Sequence, residues 1–389
     1  MIKVLFAAML TSGAMFGQVK AFTGARLIDG TGKPAVENAT LLVRDGRVLA
    51  AGASVSVPAD AERISLSGKT VMPGIINAHG HVSNPDQLGL YARYGVTTVF
   101  SLGGESEALM QQRGTAAAGR ARFYAAGPVV TAETAEAARA RVTQVAAMKP
   151  DLIKIRVDDN LGTSRKMSPA VYEAVIDEAH KQKLPAAVHL FYLSDAKAVL
   201  RAGADFIAHS VRDLDVDQEV IDLLKQRDVC VSPTFTREVS TFVYESKPAF
   251  FSDPFFLREL KPIEVGRVSA TGERYKAGLE VALRNTKKLH DAGVRIAMGT
   301  DTGPAGRFQG YFEHLELEYM VQAGLTPMQT IVAATGGAAR CWKVNGQIGT
   351  LEPGAWADFL VLEKNPLDDI RNTKTLESVW IGGMAVNRP

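Results

Sequence analysis

Between residues 73 and 347 short apolar runs alternate with helix-like segments, and this alternation constrains the fold more than any other feature of the chain. Strand candidates cover residues 75–79, 97–102, 123–126, 152–157, 186–189, 206–209, 229–232 and 296–299. Helix-like text lies between most of them, for example at 169–181, 194–202 and 220–226. Parallel strands need a crossover between them, usually a helix, so eight such units predict an α/β chain closed into a (β/α)8 TIM barrel.

The two chain ends read differently. Residues 25–29, 39–44 and 47–51 are strand-like, with Asp45-Gly46 as a hairpin turn. The same style returns at 359–362, 378–381 and 385–386, with Gly382-Gly383 as a turn. A small β-sandwich domain built from residues 18–72 and 348–389 is expected beside a catalytic barrel at 73–347. One connection, 235–272, is long, aromatic and carries Pro248, Pro254 and Pro262. Loops of that length are lids or binding loops, or arms that contact another copy.

The chain has 389 residues, more than one ordinary domain but enough for a barrel with a satellite. Its net charge of +2, with cations spread among acids, argues against a nucleic-acid partner. Met1-Ile2-Lys3 followed by the apolar run from Val4 to Phe16 reads as a signal peptide over 1–17, cut near Gly17-Gln18. A membrane span needs about 20 residues, more than this run offers. The alternative is a native apolar strand. Export to the periplasm or medium is therefore expected, with a cytoplasmic location as the other reading. The mature chain should have no membrane partner; a homo-oligomer stays open. The two cysteines, Cys230 and Cys341, are read as buried, unpaired thiols, although export would permit a bond.

Chemistry gathers at the C-terminal ends of the strand candidates, where barrel active sites lie. His79 and His81 are two apart, so on a strand they face the same side. Lys154 sits between Ile153 and Ile155, where desolvation lowers an amine's pKa. A neutral amine can combine with carbon dioxide to give a carbamate able to bridge two metals. His189 and His209 end the fifth and sixth strands, and Asp301 follows the eighth. Each alone could be a packed or capping residue. Together they offer four imidazoles and two anionic donors, a set suited to zinc or a related divalent metal.

These residues stand in segments that resemble the amidohydrolase superfamily. The segments are Gly24-Ala-Arg-Leu-Ile-Asp-Gly30, Val71-Met-Pro-Gly-Ile-Ile-Asn-Ala-His-Gly-His81, and Asp301 after Gly299-Thr300. Ala323-Gly-Leu-Thr-Pro327 and Gly349-Thr-Leu-Glu-Pro-Gly354 through Ala357-Asp358 extend the match. The resemblance is to the branch with imidazolonepropionase and the metal-dependent Xaa-Pro and Xaa-Arg dipeptidases. It implies that His79, His81 and Asp301 bind the more buried ion. It further implies that His189 and His209 bind the second, with carboxylated Lys154 bridging both. A hydroxide between the ions would attack an amide or peptide-like C–N bond, with Asp301 as proton shuttle.

Two departures stand out. Related dipeptidases often carry His-Ala-Tyr after the fifth strand, the Tyr helping to hold substrate; here His189-Leu190-Phe191 is followed by Tyr192. The Gly-Gly-His often seen after the third strand is Thr131-Ala-Glu-Thr134.

Arg156 shares a strand face with Lys154 and could clamp a substrate carboxylate. Arg237, at the start of the long loop, and Arg307 are further candidates. His180 and His290 read as structural; His314 packs, caps or reaches the pocket. Other readings are the same centre acting on a lactone, carbamate or phosphotriester, a mononuclear deaminase, and a non-catalytic binding barrel.

Overall fold

The structure is a computed structural model and describes residues 17–114, 119–264 and 272–387. Residues 1–16 of the expected leader, and residues 265–271 of the long loop, lie outside the described residues.

Five strands open the described chain: β1 (Lys20–Leu27), β2 (Val36–Arg44), β3 (Arg47–Gly52), β4 (Glu62–Ser65) and β5 (Thr70–Pro73). Asp45 and Gly46 connect β2 to β3 with φ of 51° and 75°. Both central residues of such a tight turn need positive φ, which Gly adopts freely and Asp tolerates. The parallel strands of the middle region are β6 (Ile75–Gly80), β7 (Val96–Ser101) and β8 (Arg122–Ala125), then β9 (Ile153–Arg156), β10 (Ala186–His189), β11 (Phe206–Ile207) and β12 (Cys230–Val231). The chain closes with β13 (Phe359–Leu362), β14 (Leu376–Ile381) and β15 (Met384–Ala385).

Both chain ends share one eight-stranded sheet, in the order β15-β14-β13-β5-β1-β2-β3, with β4 beside β1. Strands β5 and β13 join the two ends, antiparallel from Phe359↔Pro73 to Leu362↔Thr70. The sequence leads one to expect a small β domain built from both ends, and this pairing joins the two ends in one sheet. Every residue of β5 and β13 is buried, and pairing these strands satisfies backbone groups that water cannot reach. Phe22, Phe359 and Trp380 pack over the sheet, the last two stacked at 5.7 Å.

The middle region holds a three-stranded parallel sheet, β6-β7-β8, and a four-stranded one, β12-β11-β10-β9. Backbone hydrogen bonds link them on both sides. Asp151 N donates to Ala125 O between β8 and β9 at 2.9 Å. On the other side, Ala297 N donates to Val231 O and Ala78 N to Met298 O, so the 296–299 run lies between β12 and β6. That run pairs by the single bridge Val231↔Ile296. A Cβ at Gly299 would stand 2.3 Å from Ser232 Oγ and 2.7 Å from His79 Cβ, so glycine alone permits this approach. Ile76, Ala78, Phe100, Leu102, Ala187 and Phe206 form one buried cluster with Trp342, which stacks on Phe100 and Phe206.

One expectation is corrected here. Cys230 and Cys341 form a disulfide that joins β12 to the end of the helix Gly336–Cys341. They are 111 positions apart in sequence, and only the return of that helix to β12 brings them together. The described part of the long loop is packed. It folds into short helical turns whose Phe251, Phe255 and Phe256 are buried against Phe308 and Tyr311, with Tyr244 stacked on Phe251. Among the described residues, no helix is long and apolar enough to cross a membrane.

Candidate metal centre

The parallel ladders bring the six expected ligands to one end of the strands. His79 lies in β6 with His81 just beyond it, Lys154 is in β9, His189 closes β10, and His209 follows β11. Asp301 follows the 296–299 run. Its Oδ1 stands 2.8 Å from His81 Nε2 and 3.4 Å from His79 Nε2, and donor atoms of the three all lie within 4.8 Å of one another. Such a group can hold a metal ion. Beside it, His209 Nε2 is 2.7 Å from His189 Nδ1, and the rings of His79 and His209 lie 4.7 Å apart.

The outer contacts of the imidazoles fix where their lone pairs point. His81 Nδ1 faces Gly103 O at 2.8 Å, and a carbonyl can only accept. The proton is therefore on Nδ1, and the Nε2 lone pair is directed at the site. His209 Nδ1 contacts Thr234 Oγ1 at 2.6 Å, and that hydroxyl donates onward to Pro233 O. It must accept from His209, which leaves Nε2 bare. His189 Nε2 stands 3.1 Å from Asp158 Oδ2. Two bare nitrogens at 2.7 Å repel unless a proton or a cation lies between them.

Burial keeps His79, His189 and His209 neutral, as metal ligation requires: it lowers His79 and His209 well below the usual histidine range and His189 to about 3. Lys154 is buried, and desolvation lowers its amine to about 7. Its Nζ has no hydrogen-bond partner among the described residues. A buried polar atom left alone is costly, so this amine suits an added group. For Asp301, burial works to raise the carboxyl, but Arg307 and the adjacent His79 and His81 hold it well below the usual range. Its backbone is in the left-handed region at φ 57°, a strain of about 1–3 kcal/mol at a non-glycine residue. The bond from its own N–H to His79 O at 2.7 Å helps hold it.

The sequence reading missed the scaffold beneath these ligands. Glu313, fully buried, accepts from Asn77 Nδ2, Thr300 Oγ1 and Thr302 Oγ1 through one oxygen and from Gly310 N through the other. Asn77 in turn accepts from His79 N, so the network fixes the first ligand strand to the eighth. Glu316 holds the start of the long loop by Phe235 N and Thr236 N. Burial raises Glu313 to about 7 and Glu316 to about 8. The available signal was Glu313 and Glu316, three apart and buried, in the helix Tyr311–Gln322, whose third acid is Glu318.

The expected substrate contacts are distributed unevenly. Arg156 Nε donates to Asp158 Oδ1 at 2.9 Å. Arg237 is buried, paired with Glu238 and bonded to Tyr275 OH at 3.1 Å. Arg212, which the sequence reading did not single out, shares Glu238 with it. Arg156 Nη2 and Arg237 Nε are buried without partners among the described residues. The Tyr192 hydroxyl is turned to Asp159, 2.8 Å away, and not to the imidazoles. Arg307 Nη1 donates to Asp301. His314 is buried between Thr373 and Tyr94 O, and His180 pairs with Asp205; both are structural. A cavity of about 220 Å³ adjoins Arg156 and Asp158, whereas larger ones, of about 720 and 850 Å³, lie away from the imidazoles around Trp356 and Trp342.

Comparison with known proteins gives a family and a fold. The amidohydrolase family profile matches residues 70–386. Ochratoxinase of Aspergillus niger is 27% identical over 282 residues, covering 69% of this chain and 53% of that protein. The chain thus spans about half the length of this curated relative. An imidazolonepropionase of Geobacillus sp. is 23% identical over 380 residues, 84% of each chain. Among solved structures, a Xaa-Pro dipeptidase with bound methionine superposes with a TM-score of 0.76 at 20% identity, covering 95% of this chain and 99% of that one. The A. niger ochratoxinase structure gives 0.78 at 20%, covering 96% of each. At these identities the structural likeness is one of fold.

Proposed function

The chain belongs to the amidohydrolase family, and from that premise we propose that it is a two-metal hydrolase cleaving an amide or peptide-like C–N bond in a small substrate. The observation that carries the reading is the pairing of a His79, His81 and Asp301 donor group with a second contact of bare nitrogens, His209 Nε2 against His189 Nδ1, while the buried Lys154 Nζ has no hydrogen-bond partner among the described residues. His79, His81 and Asp301 would hold one divalent ion, probed first as zinc, and His189 and His209 the other. Lys154, as a carbamate formed from carbon dioxide, would join the two. When bound, such ions acidify water and polarise a carbonyl.

The residues of the chain divide the remaining work. Asp301 takes the proton of the attacking water and passes it to the departing nitrogen, which leaves poorly unless protonated. Arg307 holds the outer oxygen of that carboxylate in place. Arg156 and Arg237 each keep a buried N–H for a substrate carboxylate, and Tyr192 borders the same side through Asp159. The names of the relatives, ochratoxinase and dipeptidase, favour the amide reading over lactones, carbamates or phosphotriesters.

We assign residues 73–347 to a (β/α)8 barrel, a reading supported by the hydrogen bonds at Asp151, Ala297 and Ala78 that link the three- and four-stranded sheets. Residues 18–72 and 348–389 would form the β-sandwich domain, its sheet folded over Phe22, Phe359 and Trp380. Export fits the apolar residues 4–16 and the Cys230–Cys341 bond, since disulfides persist in oxidising compartments.

The test is metal content together with a hydrolysis panel of N-acyl amino acids, dipeptides, cyclic amides, lactones and aryl esters. Near two ions per chain and turnover of a C–N substrate are expected. One ion with deamination, or no ion and no turnover, would end this reading.

A further inference from the structure

Asp158 lies two residues beyond β9, on the wall between the imidazoles and the mouth, and is 3% exposed. Its Oδ1 accepts from Arg156 Nε at 2.9 Å and from Asn160 N at 3.0 Å. Its Oδ2 lies 3.1 Å from His189 Nε2, in a contact bent away from the straight hydrogen-bond line. We infer that Asp158 is a positioning residue for His189: one carboxylate fixes both the proton and the orientation of that imidazole and ties it to Arg156 at the mouth. The inference rests on the two-metal reading above.

A carboxylate only accepts, so the His189 nitrogen facing it must carry the proton. The lone pair is then on Nδ1, the atom turned to His209 Nε2 at 2.7 Å. Without Asp158 the two tautomers would differ little, and one of them points its N–H at the site. The ladder builds this arrangement, because Arg156 and His189 are register partners in the β9–β10 pair. Arg156 compensates the carboxylate's charge through Oδ1 and so leaves Oδ2 for the ring. A carboxylate behind a ligating imidazole also makes it more basic, which strengthens the bond it forms in front.

The role is separable from plain support. Loss of a general scaffold would weaken both ions or lower stability, whereas loss of this contact should weaken only the ion held by His189 and His209. Asp158→Ala and Asp158→Asn are titrated with zinc against a chelator. The Ala variant should bind one of two zinc ions about 10–100-fold more weakly and the other as the wild type does. The Asn variant should lose less, because its amide oxygen still accepts. If Asp158→Ala fails to fold with Arg156 left alone, Arg156→Met/Asp158→Ala removes both charges and should show the same one-site loss. A second readout needs no metal: ¹⁵N spectra of the zinc-free protein should show His189 protonated at Nε2, and a mixture of tautomers in the Ala variant. Unchanged affinity at both sites, or equal weakening of both, overturns the inference. Wild-type protein that takes up fewer than two zinc ions fails the parent reading instead, and the nitrogen spectra then decide for or against Asp158 by themselves.

Discussion

Arg307 Nη1 donates to Asp301 Oδ2 at 2.5 Å, on the carboxylate whose Oδ1 faces His81 Nε2 at 2.8 Å. The proton shuttle of the proposed reaction is therefore held from both sides, by a guanidinium from the loop that follows it and by a ligand of the first strand. Arg307 Nε also reaches Ser240 Oγ at 3.1 Å, which couples the position of Asp301 to the long loop.

Arg307→Met tests this hold. Arg307 helps keep Asp301 ionised, so its loss raises the carboxyl's pKa. A base works only when deprotonated, and activity falls as pH drops through its pKa. The acidic limb of the pH–rate profile should move to higher pH. Charge-assisted hydrogen bonds are worth about 1.5–3 kcal/mol, so kcat/KM should fall roughly 10- to 150-fold. An acidic limb that stays where it was would remove Arg307 from the mechanism.

Asp301→Asn keeps the shape of the side chain but not its proton chemistry. Turnover should drop at least about 100-fold, the usual scale of acid–base catalysis. The loss should be larger for amides than for activated aryl esters, whose leaving groups need no protonation. Equal losses for both would mean that Asp301 only holds metal.

Lys154→Ala should cost about one metal ion per chain and most of the activity. Short carboxylic acids in the buffer should restore part of the turnover by standing where the carbamate oxygens would be. Metal counts equal to wild type would refute the bridging role.

The Cys230–Cys341 bond makes a prediction independent of the site. Denatured, unreduced protein should show no free thiol in a colorimetric titration. Cys230→Ala/Cys341→Ala should lower the unfolding free energy by about 2–5 kcal/mol, because the bond closes a loop of more than 100 residues in the unfolded chain. Two free thiols in the native chain would refute the pairing.

The candidate ligands were legible in the sequence for a physical reason. A strand places i and i+2 on one face, and a parallel α/β chain gathers the C-terminal ends of its strands, so His79, His81, Lys154, His189, His209 and Asp301 could be located from spacing and neighbours alone. The structure brings them to one end of the strands, with His79, His81 and Asp301 in one group and His189 against His209. Tertiary structure decided whatever depends on approach between segments distant in sequence. Glu313 meets Asn77 across 236 positions and Cys230 meets Cys341 across 111, and no local pattern encodes either meeting. The arginines show the same division. Their charge is plain in the sequence, but whether a guanidinium is free for substrate depends on which carboxylate reaches it first. Asp158 reaches Arg156, Glu238 reaches Arg237, and Asp301 reaches Arg307, because the fold sets a carboxylate within hydrogen-bond distance of each guanidinium.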